Sequence, residues 1–131
     1  ARKTNDAMPE FVMQRIVEIM EENNMHDFSK VGLYGLTYKE NVDDTRESPT
    51  LQMLESMKQH LSSGQVQVYD PFVQKNIIDN QHHDLDSFLN SIELIVIMVG
   101  HNEIIENMNL LQRKIILDTR NVCQLKGTYR L

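Results

Sequence analysis

The sequence predicts an α/β fold: an open, mainly parallel sheet with helices on both faces, three layers in all, and one helix leading it. Three observations carry this. Short apolar runs alternate along the chain with segments of helical periodicity. One of these runs, Leu94-Ile95-Val96-Ile97-Met98-Val99, is apolar without a break, as a strand covered on both faces requires. The order is helix, then strand–helix–strand–helix–strand–helix–strand, and such alternation builds a parallel sheet with its crossover helices packed against it. A chain of 131 residues with 40% hydrophobic and 24% charged residues is one domain with a real core.

In order, Met8, Val12, Ile16, Ile19 and Met20 recur three or four residues apart, one face of a helix. Pro9 suits its first turn, where a missing N–H is no loss, and Asn23-Asn24 ends it. The segment 30–36 is a buried strand with two glycines, followed by a polar loop over 37–48. Ser48 as N-cap and Pro49 at the first position open a helix carrying Leu51, Leu54, Met57 and Leu61, closed by Ser62-Ser63-Gly64. Val66-Gln67-Val68-Tyr69 alternates as a strand and breaks at Asp70-Pro71. A weaker helix with a polar middle is expected between Phe72 and Leu89. After the strand 94–99 and the turn Gly100-His101-Asn102, Ile104, Ile105, Met108 and Leu111 repeat at helical spacing, and Lys114-Ile115-Ile116-Leu117-Asp118 reads as the last strand.

Lys and Arg number 13 against 19 Asp and Glu, a net charge of −6. That balance lacks the basic footprint of a nucleic-acid binder. Cys123 stands alone, so neither an internal disulfide nor a multi-cysteine zinc site is available, and a reducing, cytoplasmic setting is expected. No apolar run approaches the ~20 residues of a membrane span, and the polar start reads as no signal peptide. Because the chain opens on Ala1 almost directly into a helix, two readings are open: a processed start, or a piece of a longer protein.

Parallel sheets bind ligands beyond the carboxyl ends of their strands. Two loops there carry cations: Lys39 with Arg46 in one, Arg120 in the other. Arginine offers a planar fork and lysine a point charge, so three cations at one rim of an acidic domain point to an anionic ligand.

Two strings bear on its nature: Gly32-Leu33-Tyr34-Gly35-Leu36-Thr37-Tyr38-Lys39, and Asp43-Asp44-Thr45-Arg46-Glu47-Ser48-Pro49. With Asn5-Asp6-Ala7-Met8-Pro9, Val68-Tyr69-Asp70-Pro71 and Leu117-Asp118-Thr119-Arg120-Asn121-Val122, in that order, they resemble the Rossmann-like, UDP-binding C-terminal domain of the UDP-glucose/GDP-mannose dehydrogenases. Val99-Gly100-His101 and Asp118-Thr119-Arg120-Asn121 look most like the branch that oxidises UDP-N-acetylhexosamines, UDP-N-acetylmannosamine in particular. The resemblance implies residues 1–28 as the end of a central linking helix and 29–131 as the UDP-binding domain. It implies a two-step, NAD-dependent oxidation of the sugar C6 alcohol to a carboxylate for surface polysaccharide, by an enzyme that assembles as a homo-oligomer. A UDP-glucose 6-dehydrogenase fragment and a non-catalytic nucleotide-sugar module are the alternatives.

Carried over by position, Tyr38, Lys39 and Arg120 contact the nucleotide sugar, and Arg46, flanked by Asp44 and Glu47, reaches NAD. This sequence contains no Gly-x-Gly-x-x-Gly fingerprint, and Cys123 does not match the family's catalytic cysteine motif. NAD is therefore expected to bind mainly to a part of the enzyme outside these residues. Blander readings compete elsewhere. His82-His83-Asp84 reads as a polar surface turn rather than a metal site, His101 as a hydrogen-bonded loop residue, Cys123 as semi-buried filler, and the methionines as core or interface filler.

Overall fold

A computed structural model describes residues 2–37, 41, 45, 48–60 and 66–130, with 2–9 and 56–60 described by backbone alone. Helix α1 runs Arg2–Glu22, followed by a 3-10 turn at Phe28–Lys30. Strand β1 is Val31–Tyr34, helix α2 Pro49–His60 and strand β2 Gln67–Tyr69. Strand β3 is Gln81–His82, helix α3 Leu85–Asn90 and strand β4 Leu94–Ile97. Helix α4 (Asn102–Glu106) and a 3-10 turn lead to β5 (Ile115–Asp118) and β6 (Tyr129–Arg130).

Among the described residues the sheet has six strands, all parallel, in the order β3-β2-β1-β4-β5-β6. Alternate strand residues feed two cores. Val31, Leu33, Val68, Leu94, Val96 and Leu117 face α1 and α2, whose Val12, Ile16, Ile19 and Met53 are buried against them. Tyr34, Tyr69, Ile95, Ile97 and Ile116 face Phe88, Ile104 and Leu111 on the other side. Gly32 is required there, since a Cβ on it would lie 2.7 Å from both Ile92 and Phe88. The expected three-layer, Rossmann-like fold is the observed one.

Four local expectations are corrected. Helix α1 already begins at Arg2, so Pro9 lies inside it rather than in its first turn. The helix expected between Phe72 and Leu89 shrinks to α3, with Asp84 as its N-cap accepting from Ser87 N. The polar stretch before it is a loop, held by Gln81, whose side chain accepts from Ile77 N and donates to the Val73 and Lys75 carbonyls. The helix expected over 104–111 breaks at Asn107, whose side-chain amide donates back to Glu103 O at 2.7 Å, and continues as the 3-10 turn Met108–Leu111. Finally, β3 and β6 are two-residue edge strands, too short to leave a periodic signal.

Candidate functional site

The carboxyl ends of β1, β2, β4 and β5 form one rim. Connections leave β1 toward β2 on one side and β4 lies on the other, so the switch point of the sheet falls between β1 and β4. Gly35 turns the chain out of β1 with φ of 108° and donates its N–H to Tyr69 O. A Cβ at Gly35 would sit 2.7 Å from Val99, so only glycine fits both the backbone and the space.

Directly beyond, Asp70 is buried with every neighbour aimed at its carboxylate. Oδ2 accepts from Leu36 N (2.7 Å), Thr37 N (3.2 Å) and the His101 ring (2.9 Å); Oδ1 accepts from Phe72 N (2.7 Å). This full set of donors is what allows a carboxylate to be 1% exposed. His101 is wholly buried, and its Nδ1 accepts the N–H of Asn41 at 2.8 Å. An accepting Nδ1 leaves the ring proton on Nε2, which donates to Asp70 and lies 3.3 Å from the Thr37 hydroxyl. Asn41, in the left-handed region at φ 60°, returns its Oδ1 to the Asn102 N–H at the start of α4, the cap that His101 itself does not provide.

One strand further, Asp118 folds the turn after β5. Oδ1 accepts from Arg120 N and Asn121 N, and Oδ2 from Val122 N, Cys123 N and the Arg130 guanidinium. Asn121 takes a positive φ of 62° inside this turn. The turn stacks on its neighbour. Thr119 donates N–H and hydroxyl to Ile97 O, and Val122 packs so closely on Gly100 that a Cβ there would lie 2.9 Å away. With its backbone engaged, Arg120 projects an exposed side chain that has no hydrogen-bond or ion-pair partner among the described residues.

A third carboxylate, Glu103, sits at the start of α4 and accepts from Tyr34 Oη (3.1 Å) and Tyr69 Oη (2.8 Å). Burial first, and then the Glu103 charge and hydrogen bonds, push both phenols well above their ordinary range.

Of the sequence-predicted site residues, Arg120 is at this rim. Tyr38, Lys39 and Arg46, with Asp44 and Glu47, lie outside the described residues. Thr37 and Asn41, on either side of Tyr38-Lys39-Glu40, are both at the Asp70–His101 pair. His101 is a hydrogen-bonded residue after a strand, as expected, but a fully buried one tied to Asp70. The two adjacent histidines diverge: His82 is half-buried in β3 between Gln67 and Ser87, its pKa lowered by burial, while His83 meets Asn76. His82 is thus part of the sheet edge rather than of a surface turn. Cys123 is completely buried, beside the Thr128 hydroxyl, which leaves its thiol no access to a substrate.

The rim thus has its backbone amides committed to the protein's own carboxylates, Asp70 and Asp118, beside an exposed arginine, Arg120. Residues 32–125 match the UDP-glucose/GDP-mannose dehydrogenase family, UDP binding domain, and the chain belongs to that family. It is 36% identical, over 93% of its length, to a UDP-N-acetyl-D-mannosamine dehydrogenase of Methanocaldococcus jannaschii, of which it covers 29%. Its structure superposes with a TM-score of 0.79 on the UDP-D-ManNAc dehydrogenase of Pyrococcus horikoshii, at 30% identity, covering 98% of this chain and 31% of that one. The UDP-N-acetyl-mannosamine dehydrogenase of Staphylococcus aureus gives a TM-score of 0.77 at 30% identity and covers 98% of this chain and 32% of that one. The chain therefore spans about three-tenths of the length of these relatives. Among the described residues, no helix is long and apolar enough to cross a membrane.

Proposed function

We propose that this chain is the nucleotide-sugar-binding part of an NAD-dependent UDP-N-acetylmannosamine 6-dehydrogenase that works in the cytoplasm as a homo-oligomer. Residues 1–28 are the end of its linking helix and 29–131 its UDP-binding domain. Tyr38, Lys39 and Arg120 meet the nucleotide sugar, and Arg46 meets NAD. The observation that supports this most directly is Arg120: an exposed guanidinium, unpartnered among the described residues, on a turn whose Arg120, Asn121, Val122 and Cys123 amides are committed to Asp118. A planar fork held outward on a stiff turn suits a diphosphate or carboxylate oxygen pair.

NAD, when bound, accepts hydride. The described residues do not form its cradle. In dinucleotide-binding sheets the turn after the first strand offers amides to the pyrophosphate, whereas here the Leu36 and Thr37 amides are taken by Asp70. With its one cysteine, Cys123, buried, this chain supplies recognition and no accessible thiol.

An amide NMR titration with UDP tests the reading. Affinity on the order of millimolar is expected for a site of few contacts, with shifts at Thr37, Asn41 and the Arg120 turn. Arg120→Ala is expected to weaken binding about tenfold, the worth of one charge-assisted bond. Absence of shifts in this chain and in the dehydrogenase that contains it overturns the proposal.

A further inference from the structure

We infer that Phe72 is the stacking platform for the base of the bound nucleotide; this rests on the nucleotide-binding reading above and says where the ligand's neutral end lies. Phe72 follows β2 and His101 follows β4, with β1 between those strands in the sheet. The two rings nonetheless meet, their centroids 4.8 Å apart and their planes at 45°. The Phe72 side chain therefore crosses the carboxyl end of β1, at the switch point where open parallel sheets take their ligands. It is 40% exposed and belongs to neither core. Its N–H is fixed on Asp70 Oδ1 at 2.7 Å and its ring rests on the buried His101, so it has little freedom left to lose on binding.

Charge decides which end of a nucleotide lies here. Beside Phe72 is the Asp70 carboxylate, and the Leu36, Thr37 and Phe72 amides are all turned to it. A phosphate at this point would meet a like charge and none of those three amides. A base is neutral and offers a π face instead. Arg120 stands after β5, two strand spacings or about 10 Å from β1. A ribose and its phosphates fill such an interval, which gives the diphosphate to the arginine fork and the base to the ring. Stacking tolerates any base. Phe72 thus adds affinity for nucleoside diphosphates as a class and does not itself select uracil.

Titrations with UDP, CDP, inorganic pyrophosphate and NAD⁺ test the assignment, by amide NMR on this chain and by calorimetry on the dehydrogenase that contains it. Phe72→Leu keeps an apolar cover over His101 and removes the π face. In F72L the Kd for UDP and for CDP should rise about tenfold, as for the loss of one stacked base. Pyrophosphate affinity and the urea midpoint should stay at the parent's values. Phe72→Trp should bind UDP at least as tightly as the parent, whereas Arg120→Ala should weaken UDP and pyrophosphate alike. In the UDP complex, Phe72 ring protons should show nuclear Overhauser contacts with uracil H5 and H6.

If F72L binds UDP as tightly as the parent, or if the saturated complex shows no contact between Phe72 and uracil, the stacking role is overturned while the nucleotide reading survives. Equal weakening of UDP and pyrophosphate, or a loss confined to NAD⁺, would overturn it too. If the unsubstituted protein, including the full dehydrogenase, fails to bind UDP, the nucleotide reading falls and this role falls with it.

Discussion

Two buried carboxylates at the carboxyl ends of β2 and β5, Asp70 and Asp118, solve the same problem in opposite ways. Asp118 takes its four amides from the next five residues, and the Arg130 guanidinium closes the set. Its turn is built by local chain geometry. Asp70 reaches across the fold instead, to Leu36 and Thr37, 34 and 33 residues earlier, and to His101, 31 residues later. The first carboxylate shapes one turn; the second joins the exits of β1, β2 and β4. A local scaffold can display a side chain such as Arg120, whereas a junction can coordinate several loops at once.

The largest expected effect breaks the junction. Asp70→Ala leaves three amides and an imidazole without their acceptor in a site water does not reach, at a cost of about 3–5 kcal/mol. Asp118→Ala orphans four amides, but Arg120 and Asn121 are exposed and can turn to water, so about 2 kcal/mol is expected. Urea unfolding measures both. Amide exchange sharpens the contrast: Asp70→Ala should open Leu36, Thr37 and Asn41 together, Asp118→Ala the 120–123 turn alone. Equal losses, or exchange confined to Phe72 in Asp70→Ala, would mean that Asp70 is no junction.

Glu103 supplies a third carboxylate whose donors, unlike amides, can titrate. Tyr34 and Tyr69 have their folded pKa values raised above the ordinary 10.0, by burial first and by Glu103 next. A raised folded pKa means that the protein keeps these protons while the unfolded chain releases them. The stabilisation is whole below pH 10 and is lost progressively above it, by up to about 1.4 kcal/mol per pH unit for each tyrosine. Alkaline denaturation followed by circular dichroism should show this slope, and Tyr69→Phe should remove close to half of it. A flat stability profile above pH 10 would show that the phenols ionise freely in the folded protein.

How much of this was legible in the sequence follows from the same contrast. The strand–helix alternation, the Ser48-Pro49 helix start and the turn at Asp118-Thr119-Arg120-Asn121 are local, so residue order carries them. Asp70 and His101 each stood out only as strand-end residues. Nothing short-range links positions 70 and 101, because the switch point of the sheet brings them together. The same limit hid Asn41 as the cap of α4, and Glu103 as the acceptor shared by two tyrosines from different strands. Edge strands β3 and β6 escaped for another reason: two residues carry no period.

The smallest expected effect on stability is the most informative about function. Arg120 and Arg130 bracket one turn and differ in what they touch. Arg130 donates to Asp118 Oδ2, Asn121 Oδ1 and Cys123 O, the last at 2.6 Å, so its guanidinium is part of the turn. Arg120 touches none of these through its side chain. Arg130→Ala is therefore expected to cost about 1–2 kcal/mol in urea unfolding, and Arg120→Ala to stay within about 0.5 kcal/mol of the parent, as surface changes do. An arginine that the fold does not need, held at the rim by a turn that the fold does need, is available for a ligand. If Arg120→Ala destabilised the protein as much as Arg130→Ala, its side chain would belong to the scaffold, and the case for Arg120 as a nucleotide contact would lose its structural basis.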